Sequence, residues 1–146
     1  MAPQLSSSRP ATVLMIDDNP EELEAWSKRL AESPSHYSVL KAQTVKDGLD
    51  VCQDQNVDCV VLDLDMGDSS GFEVLLHLIP ERKRPEMATV VLTHLQNPIL
   101  HDTVLYHGAQ AYLVKQGTSA QDLDHAIQQA IVSVARRSDA PFLTDL

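Results

Sequence analysis

Five short apolar runs along the chain alternate with segments in which apolar residues recur every three or four positions. The runs predict strands because they are brief, rich in valine or leucine, and bounded by polar residues. Three of them are continuously apolar, which is typical of strands covered on both faces of a sheet. The predicted strands are Thr12–Ile16, Tyr37–Gln43, Asp58–Leu62, Ala88–Leu92 and Ala109–Val114.

The segments between the strands have the periodicity of amphipathic helices. The last segment is the clearest, because one apolar stripe runs from Leu123 to Val134. Five successive β-α units with right-handed crossovers predict a doubly wound α/β fold, with a parallel sheet and helices on both faces. Apolar residues that mark two other helices are Leu23, Trp26 and Leu30, and Phe72, Leu75, Leu76 and Ile79 before Pro80.

Local capping signals agree with these helices. Asn19 stands before Pro20 at a first helical position, and Glu22 is placed to fold back on the cap. Each further start also combines a capping side chain with a favourable residue in the first turn. These starts are Thr44 with Asp47, Asn97 before Pro98, and Ser119 with Asp122.

Four of the predicted strands finish in a reactive polar group. Asp17 and Asp18 follow the first strand, Asp63 the third, Thr93 the fourth and Lys115 the fifth. In a doubly wound fold, ligands bind at the carboxyl ends of the strands, near the point where strand order reverses. The sequence therefore predicts one site that contains all of these groups.

The chemistry of this set favours phosphoryl transfer. Two unit charges ~5 Å apart repel by about 3 kcal/mol at an effective dielectric constant of ~20, so clustered carboxylates need compensation. A hard cation with oxygen ligands, such as Mg2+, supplies it, and Lys115 adds a positive charge. An aspartate in such a site can act as the nucleophile and form an aspartyl phosphate. Taken singly, each acid has an ordinary explanation as a cap or a solvated loop residue.

Composition sets the class of protein. The chain has 146 residues, 43% hydrophobic and 22% charged, which is suited to one globular domain. Its net charge of -10 disfavours nucleic acid and anionic membranes as partners. No signal peptide or membrane-spanning run is evident, and Cys52 and Cys59 are interpreted as reduced thiols of a cytoplasmic protein.

Together these residues resemble the receiver domains of bacterial response regulators. The resemblance rests on Asp17-Asp18, on the segment Val61–Met66 with Gly71 eight residues after Asp63, and on Thr93 and Lys115. It implies a flavodoxin-like (βα)5 fold. The expected organisation is a disordered tail over 1–11, a receiver domain over 12–137 and a short tail over 138–146.

The resemblance also implies roles for individual residues. Asp63 would be the phosphoacceptor, and Thr93 and Lys115 would bind phosphoryl oxygens. Tyr112 would be the switch aromatic that turns inward as Thr93 moves, changing a face made of the fourth helix, fifth strand and fifth helix. The Mg2+ ligands would be Asp18 and Asp63 directly, the backbone carbonyl of Asp65, and Asp17 through water.

The implied partners are a sensor histidine kinase or a histidine phosphotransfer protein as donor, and a downstream protein target. The chain would be a monomer or weak homodimer, and at most a slow catalyst of its own phosphorylation and dephosphorylation. With no output domain expected, it would be a stand-alone regulator or a receiver taken from a hybrid kinase.

Three residues depart from the family pattern. His94 replaces a small residue beside Thr93, where it either narrows access and contacts the phosphoryl group or turns to solvent. Gln116 follows Lys115 in place of a proline, so we expect a trans peptide bond there. Gly67 stands where proline is common, which predicts a looser loop.

Two other functions are consistent with parts of the pattern. Asp63-Leu64-Asp65 also resembles the nucleophile motif of haloacid-dehalogenase-type phosphatases, but there the motif ends the first strand and Asp17-Asp18 would be unexplained. The other alternative is a receiver-like scaffold that no longer accepts phosphate, for which His94 is the only support. The remaining histidines lack metal-ligand spacing and are interpreted as surface residues.

Overall fold

Five parallel strands form the main sheet of the structure, a computed structural model that describes residues 10–66, 69–70, 75 and 87–139. In chain order, Asp65–Met66 (β4) and Ser69–Ser70 (β5) form a separate antiparallel pair after β3. The order across the main sheet is β2-β1-β3-β6-β7. The main strands are Thr12–Ile16 (β1), Ser38–Ala42 (β2), Cys59–Leu62 (β3), Ala88–Thr93 (β6) and Ala111–Val114 (β7).

Four complete helices lie within the described residues. They are Pro20–Ala31 (α1), Val45–Asp54 (α2), Pro98–Tyr106 (α3) and Ala120–Asp139 (α4). The helix predicted over Phe72–Ile79 lies outside the described residues except for Leu75, which is helical and buried. The labels α3 and α4 therefore belong to the fourth and fifth helices predicted from the sequence.

The predicted doubly wound fold is confirmed, and strand order explains where a site can form. The chain passes from β1 to β2 on one side and then returns to place β3 on the other side of β1. This reversal opens a crevice beyond the carboxyl ends of β1 and β3. Registered pairs such as Ile16 with Leu62 bring the two strand ends level.

The sheet is covered on both faces, as its apolar strands require. Successive residues of β1 point to opposite sides, so Val13 and Met15 join one core cluster while Leu14 and Ile16 join the other. The first cluster includes buried residues of α1 and α4, and the second includes residues of α2 and α3. The central strands are therefore packed between two separate cores.

Side-chain caps fix the helix starts at the predicted residues. Asn19 accepts hydrogen bonds from the backbone N–H groups of Glu21 and Glu22, and Asn97 does the same at α3. Ser119 and Asp122 cap α4 reciprocally. Each cap satisfies backbone donors that a helix end leaves unpaired.

The last predicted strand begins two residues too early, since β7 starts at Ala111. Ala109 donates its N–H to the carbonyl of Val104 at the end of α3, following Gly108, which has a φ of 114°. Gln110 then uses its side-chain oxygen to accept the N–H of Thr89 at 2.7 Å. The segment is a turn fastened to its neighbours, which apolar periodicity alone does not distinguish from a strand.

Both cysteines are free thiols, as predicted. Burial raises the pKa of Cys59 and, to a smaller degree, that of Cys52, so neither is activated as a nucleophile. Among the described helices, none is long and apolar enough to cross a lipid bilayer.

Burial of α4 against the sheet predicts a large difference between two helical isoleucines. Ile127 has none of its surface exposed, whereas Ile99 in α3 is 77% exposed. We expect Ile127→Ala to lower the free energy of unfolding by about 2–5 kcal/mol, since it leaves a cavity. Ile99→Ala, the matched control, should change it by less than about 0.5 kcal/mol. Urea unfolding measures both, and equal effects would contradict this packing.

Candidate functional site

Four polar side chains predicted from strand ends lie buried at one edge of the sheet. Asp17 follows β1, Asp63 follows β3, Thr93 ends β6 and Lys115 follows β7. The backbone ladder continues through the two acids, because Asp63 donates its N–H to the carbonyl of Ile16 at 3.0 Å. The backbone of the sheet therefore sets the positions of these residues independently of their side-chain contacts.

Lys115 brings the two buried acids together. Its Nζ lies 2.6 Å from Oδ2 of Asp17 and 3.1 Å from Oδ2 of Asp63. Burial by itself lowers the pKa of Lys115, but hydrogen bonds to Asp17 and Glu22 and the charge of Asp63 raise it overall. Lys115 is therefore charged at neutral pH and compensates the acids around it.

Each acid uses its other oxygen on a backbone donor. Oδ1 of Asp17 accepts the N–H of Asn19 at 2.9 Å, and Oδ1 of Asp63 accepts the N–H of Asp65 at 3.0 Å. Burial is the main cause that raises the pKa of Asp17, opposed by its hydrogen bond with Lys115. Both carboxylates are thus held at both oxygens, which sets their orientation.

Glu22 is a third carboxylate at the site, and sequence reasoning did not place it there. Its Oε1 contacts Nζ of Lys115 at 2.5 Å, and its Oε2 lies 2.9 Å from Nε2 of His94. The hydrogen bond with Lys115 is the main cause that lowers the pKa of Glu22. The predicted return of Glu22 to the cap is wrong, because the N–H of Asn19 is donated to Asp17.

His94 lies at the margin of the site. Its side chain is 46% exposed, yet its ring contacts both oxygens of Glu22. The hydrogen bond with Glu22 is the main cause that raises the pKa of His94, and burial opposes it. His94 is therefore linked to Lys115 through one intervening carboxylate.

Comparison with known proteins identifies the family to which this site belongs. A model of the response regulator receiver domain matches residues 13–128, well over half of the chain. This chain belongs to the response regulator receiver family. Receiver domains are signalling domains of two-component systems, and they generally bind Mg2+ at an acidic pocket.

Curated relatives and solved structures agree with this assignment. The nitrate/nitrite response regulator NarL of Escherichia coli is 26% identical over 136 residues, covering 93% of this chain and 62% of NarL. The Escherichia coli transcriptional regulatory protein GlrR is 28% identical over 136 residues, covering 90% of this chain and 29% of GlrR. This receiver chain thus spans less than two thirds of either regulator.

Two solved receiver domains share the fold. The domain from Clostridium thermocellum superimposes with a TM-score of 0.73 at 29% identity, covering 88% of this chain and 97% of that one. A CheY-like receiver domain from Methanospirillum hungatei gives a TM-score of 0.75 at 23% identity, covering 88% and 98%. The flavodoxin-like arrangement predicted from the sequence is confirmed.

Oxygen ligands at the receiver's acidic edge are chemically suited to Mg2+. Asp17 and Asp63 are buried there, whereas Asp18 and Asp65 are exposed. Within the described parts of the chain, no group of three or more acid, histidine or cysteine side chains is already arranged as a metal site. The two buried acids instead direct one oxygen each toward Lys115.

Thr93 and Tyr112 of the receiver act on the same backbone segment. Oγ1 of Thr93 accepts the N–H of Leu95 at 3.4 Å, while Oη of Tyr112 donates to the carbonyl of Leu95 at 2.6 Å. The ring of Tyr112 also packs edge-on against His101, with centroids 5.3 Å apart. The two proposed switch residues are therefore connected through Leu95.

The loop after Lys115 differs in sequence from the family pattern but keeps the lysine buried. Residues Lys115–Gly117 form one turn of 3-10 helix, and the bond to Gln116 is trans, as expected. Gly67 and Gly71 lie outside the described residues.

The contact between Glu22 and His94 predicts a measurable dependence on pH. Since folding raises the pKa of His94 above 6.5, its protonated form favours the folded state; this contribution is present below pH 6.5 and is lost as pH rises through the folded-state value. We expect Glu22→Gln to lower the pKa of His94, measured by NMR titration of its ring protons. Glu21→Gln, in the same helical turn, is the control; equal shifts in both variants would contradict the contact.

The hydroxyl of Tyr112 is predicted to stabilise the loop after β6. Tyr112→Phe removes the donor to the carbonyl of Leu95 and should lower the free energy of unfolding by about 0.5–1.5 kcal/mol. Urea unfolding of the two proteins measures the difference. An unchanged midpoint and slope would show that water replaces this hydrogen bond without loss.

Proposed function

We propose that this receiver accepts a phosphoryl group on Asp63 from a phosphohistidine. The donor would be a sensor histidine kinase or a histidine phosphotransfer protein. A carboxylate oxygen of Asp63 forms a bond to phosphorus as the bond from phosphorus to the imidazole nitrogen breaks, and the imidazole keeps that electron pair. The observation that carries the proposal is the buried Lys115 ammonium between Asp17 and Asp63 at the carboxyl edge of the sheet.

The roles proposed for the acids are those that the resemblance to receiver domains implies. Mg2+ would be bound directly by Asp18, Asp63 and the backbone carbonyl of Asp65. Asp17 would contact the ion through a water molecule. When bound, the cation supplies positive charge where the phosphoryl oxygens approach. The hydrogen bond from Asp65 N–H to Oδ1 of Asp63 supports this arrangement, because it keeps the acceptor directed toward the crevice.

Lys115 and Thr93 are proposed to bind the phosphoryl oxygens. Lys115 is 3% exposed in its side chain, so its charge acts in surroundings with little water. Among the described residues, the hydroxyl of Thr93 has one hydrogen-bond contact, at 3.4 Å to the N–H of Leu95, so little is lost when it turns toward a new anion. Movement of Thr93 would break its contact with the N–H of Leu95. Leu95 would then be able to shift together with Tyr112, which donates to its carbonyl.

The proposed readout is a change on the face made by α3, β7 and α4. A surface groove lies on this face, between the end of α3 and the adjoining parts of β7 and α4. Its lining includes Leu113, His125 and Ala126. Tyr106, 61% exposed, also lies at this groove. We propose that a downstream protein binds this face in the cytoplasm, with the receiver acting as a monomer or weak homodimer.

A direct test uses two neighbouring aspartates. Wild-type protein with Mg2+ should gain one phosphoryl group from acetyl phosphate, detected by mass spectrometry of the intact chain, and should bind beryllofluoride. Asp63→Asn should lose both responses because it removes the nucleophile. Asp65→Asn, the matched control, should keep them, since only the backbone of Asp65 is proposed to act.

Three outcomes would reject this function. Modification that persists in Asp63→Asn would place the acceptor elsewhere, and no response in the wild type would indicate a scaffold. Sustained hydrolysis of a general phosphomonoester over many turnovers would favour a phosphatase.

A further inference from the structure

Glu22 occupies an unusual place at this site. The other acids follow strand ends, whereas Glu22 comes from the first turn of α1 and reaches Lys115 across 93 residues of sequence. Among the described residues Lys115 contacts three carboxylates, and the contact of Glu22 with Nζ, at 2.5 Å, is the shortest. Lys115, which the proposed mechanism needs for the phosphoryl group, is therefore paired closely with Glu22 in this structure.

Exposure increases from Lys115 through Glu22 to His94. The side chain of Lys115 is 3% exposed, that of Glu22 33% and that of His94 46%. The three groups form a series from the buried site to solvent. An anion that approaches Lys115 from solvent along this series meets the negative charge of Glu22 first, and the two anions repel each other.

We propose that Glu22 is a positioning residue, an internal anion that holds Lys115 before phosphorylation and must release it to the incoming phosphoryl group. This inference rests on the proposed function of Asp63. Glu22 forms and breaks no covalent bond. It sets how readily Lys115 becomes available, and His94 keeps it in place from the solvent side.

Neutralising Glu22 should therefore make the site more receptive. Glu22→Gln keeps the size of the side chain but removes both the ion pair with Lys115 and the repulsion of the phosphoryl anion. Because the carboxylate is one-third exposed, solvent screens much of each effect. We expect beryllofluoride affinity and the rate of modification by acetyl phosphate to rise by roughly 2–10-fold.

The control is Glu21→Gln, which removes the same charge from an exposed position in the same helical turn. Its affinity and rate should stay close to those of the wild type. Urea unfolding of both variants separates a change in stability from a change at Lys115. An affinity for Glu22→Gln that is equal to or below that of Glu21→Gln would overturn the proposal.

His94 requires a double-mutant cycle, because its removal also widens access to the site. His94→Ala frees Glu22 to leave Lys115, so we expect faster modification in the wild-type background and no further gain in Glu22→Gln. An equal acceleration in both backgrounds would assign the effect to access and overturn the holding role of His94. If the wild type itself binds no beryllofluoride, the function proposed for Asp63 fails, whatever the variants show.

Discussion

The rest of the site depends on the ion pairs between the buried ammonium of Lys115 and the carboxylates around it. A charge with only 3% of its side chain exposed is tolerated only when partners replace the water it has lost. The parallel sheet provides two of them by bringing Asp17 and Asp63 to the same edge, and α1 provides Glu22. Removing any one of these three carboxylates would reduce the negative charge that compensates the ammonium of Lys115.

Two further sets of contacts lie near this centre. Toward solvent, Glu22 connects Lys115 to His94, so a surface imidazole is in electrostatic contact with a buried site. Along the sheet edge, Leu95 accepts from Tyr112 and donates to Thr93 through its backbone. Asp63 is therefore connected through Lys115 and Glu22 to His94 at the margin of the site.

Membership in the receiver family is consistent with the departures in this chain, because none of them removes a reactive group. The turn at Lys115–Gly117 keeps the lysine buried without a proline after it. His94 is accommodated by a partner, Glu22, which accepts its hydrogen bond at the margin of the site. With these two departures in place, Asp17 and Asp63 both remain in contact with Lys115.

The sequence by itself determined the alternation of the described strands and helices, the side chains that open the caps, and the placement of Asp17, Asp63, Thr93 and Lys115 at one edge of the sheet. These predictions succeed because periodicity and capping are local, and because parallel strands must end at one edge. Only the tertiary structure decided the partners of Glu22, His94 and Tyr112. In the sequence, Glu22 has the position of a capping residue. In the structure it instead accepts a hydrogen bond from Lys115, 93 residues away. A buried ammonium gains more from a carboxylate than a backbone N–H does.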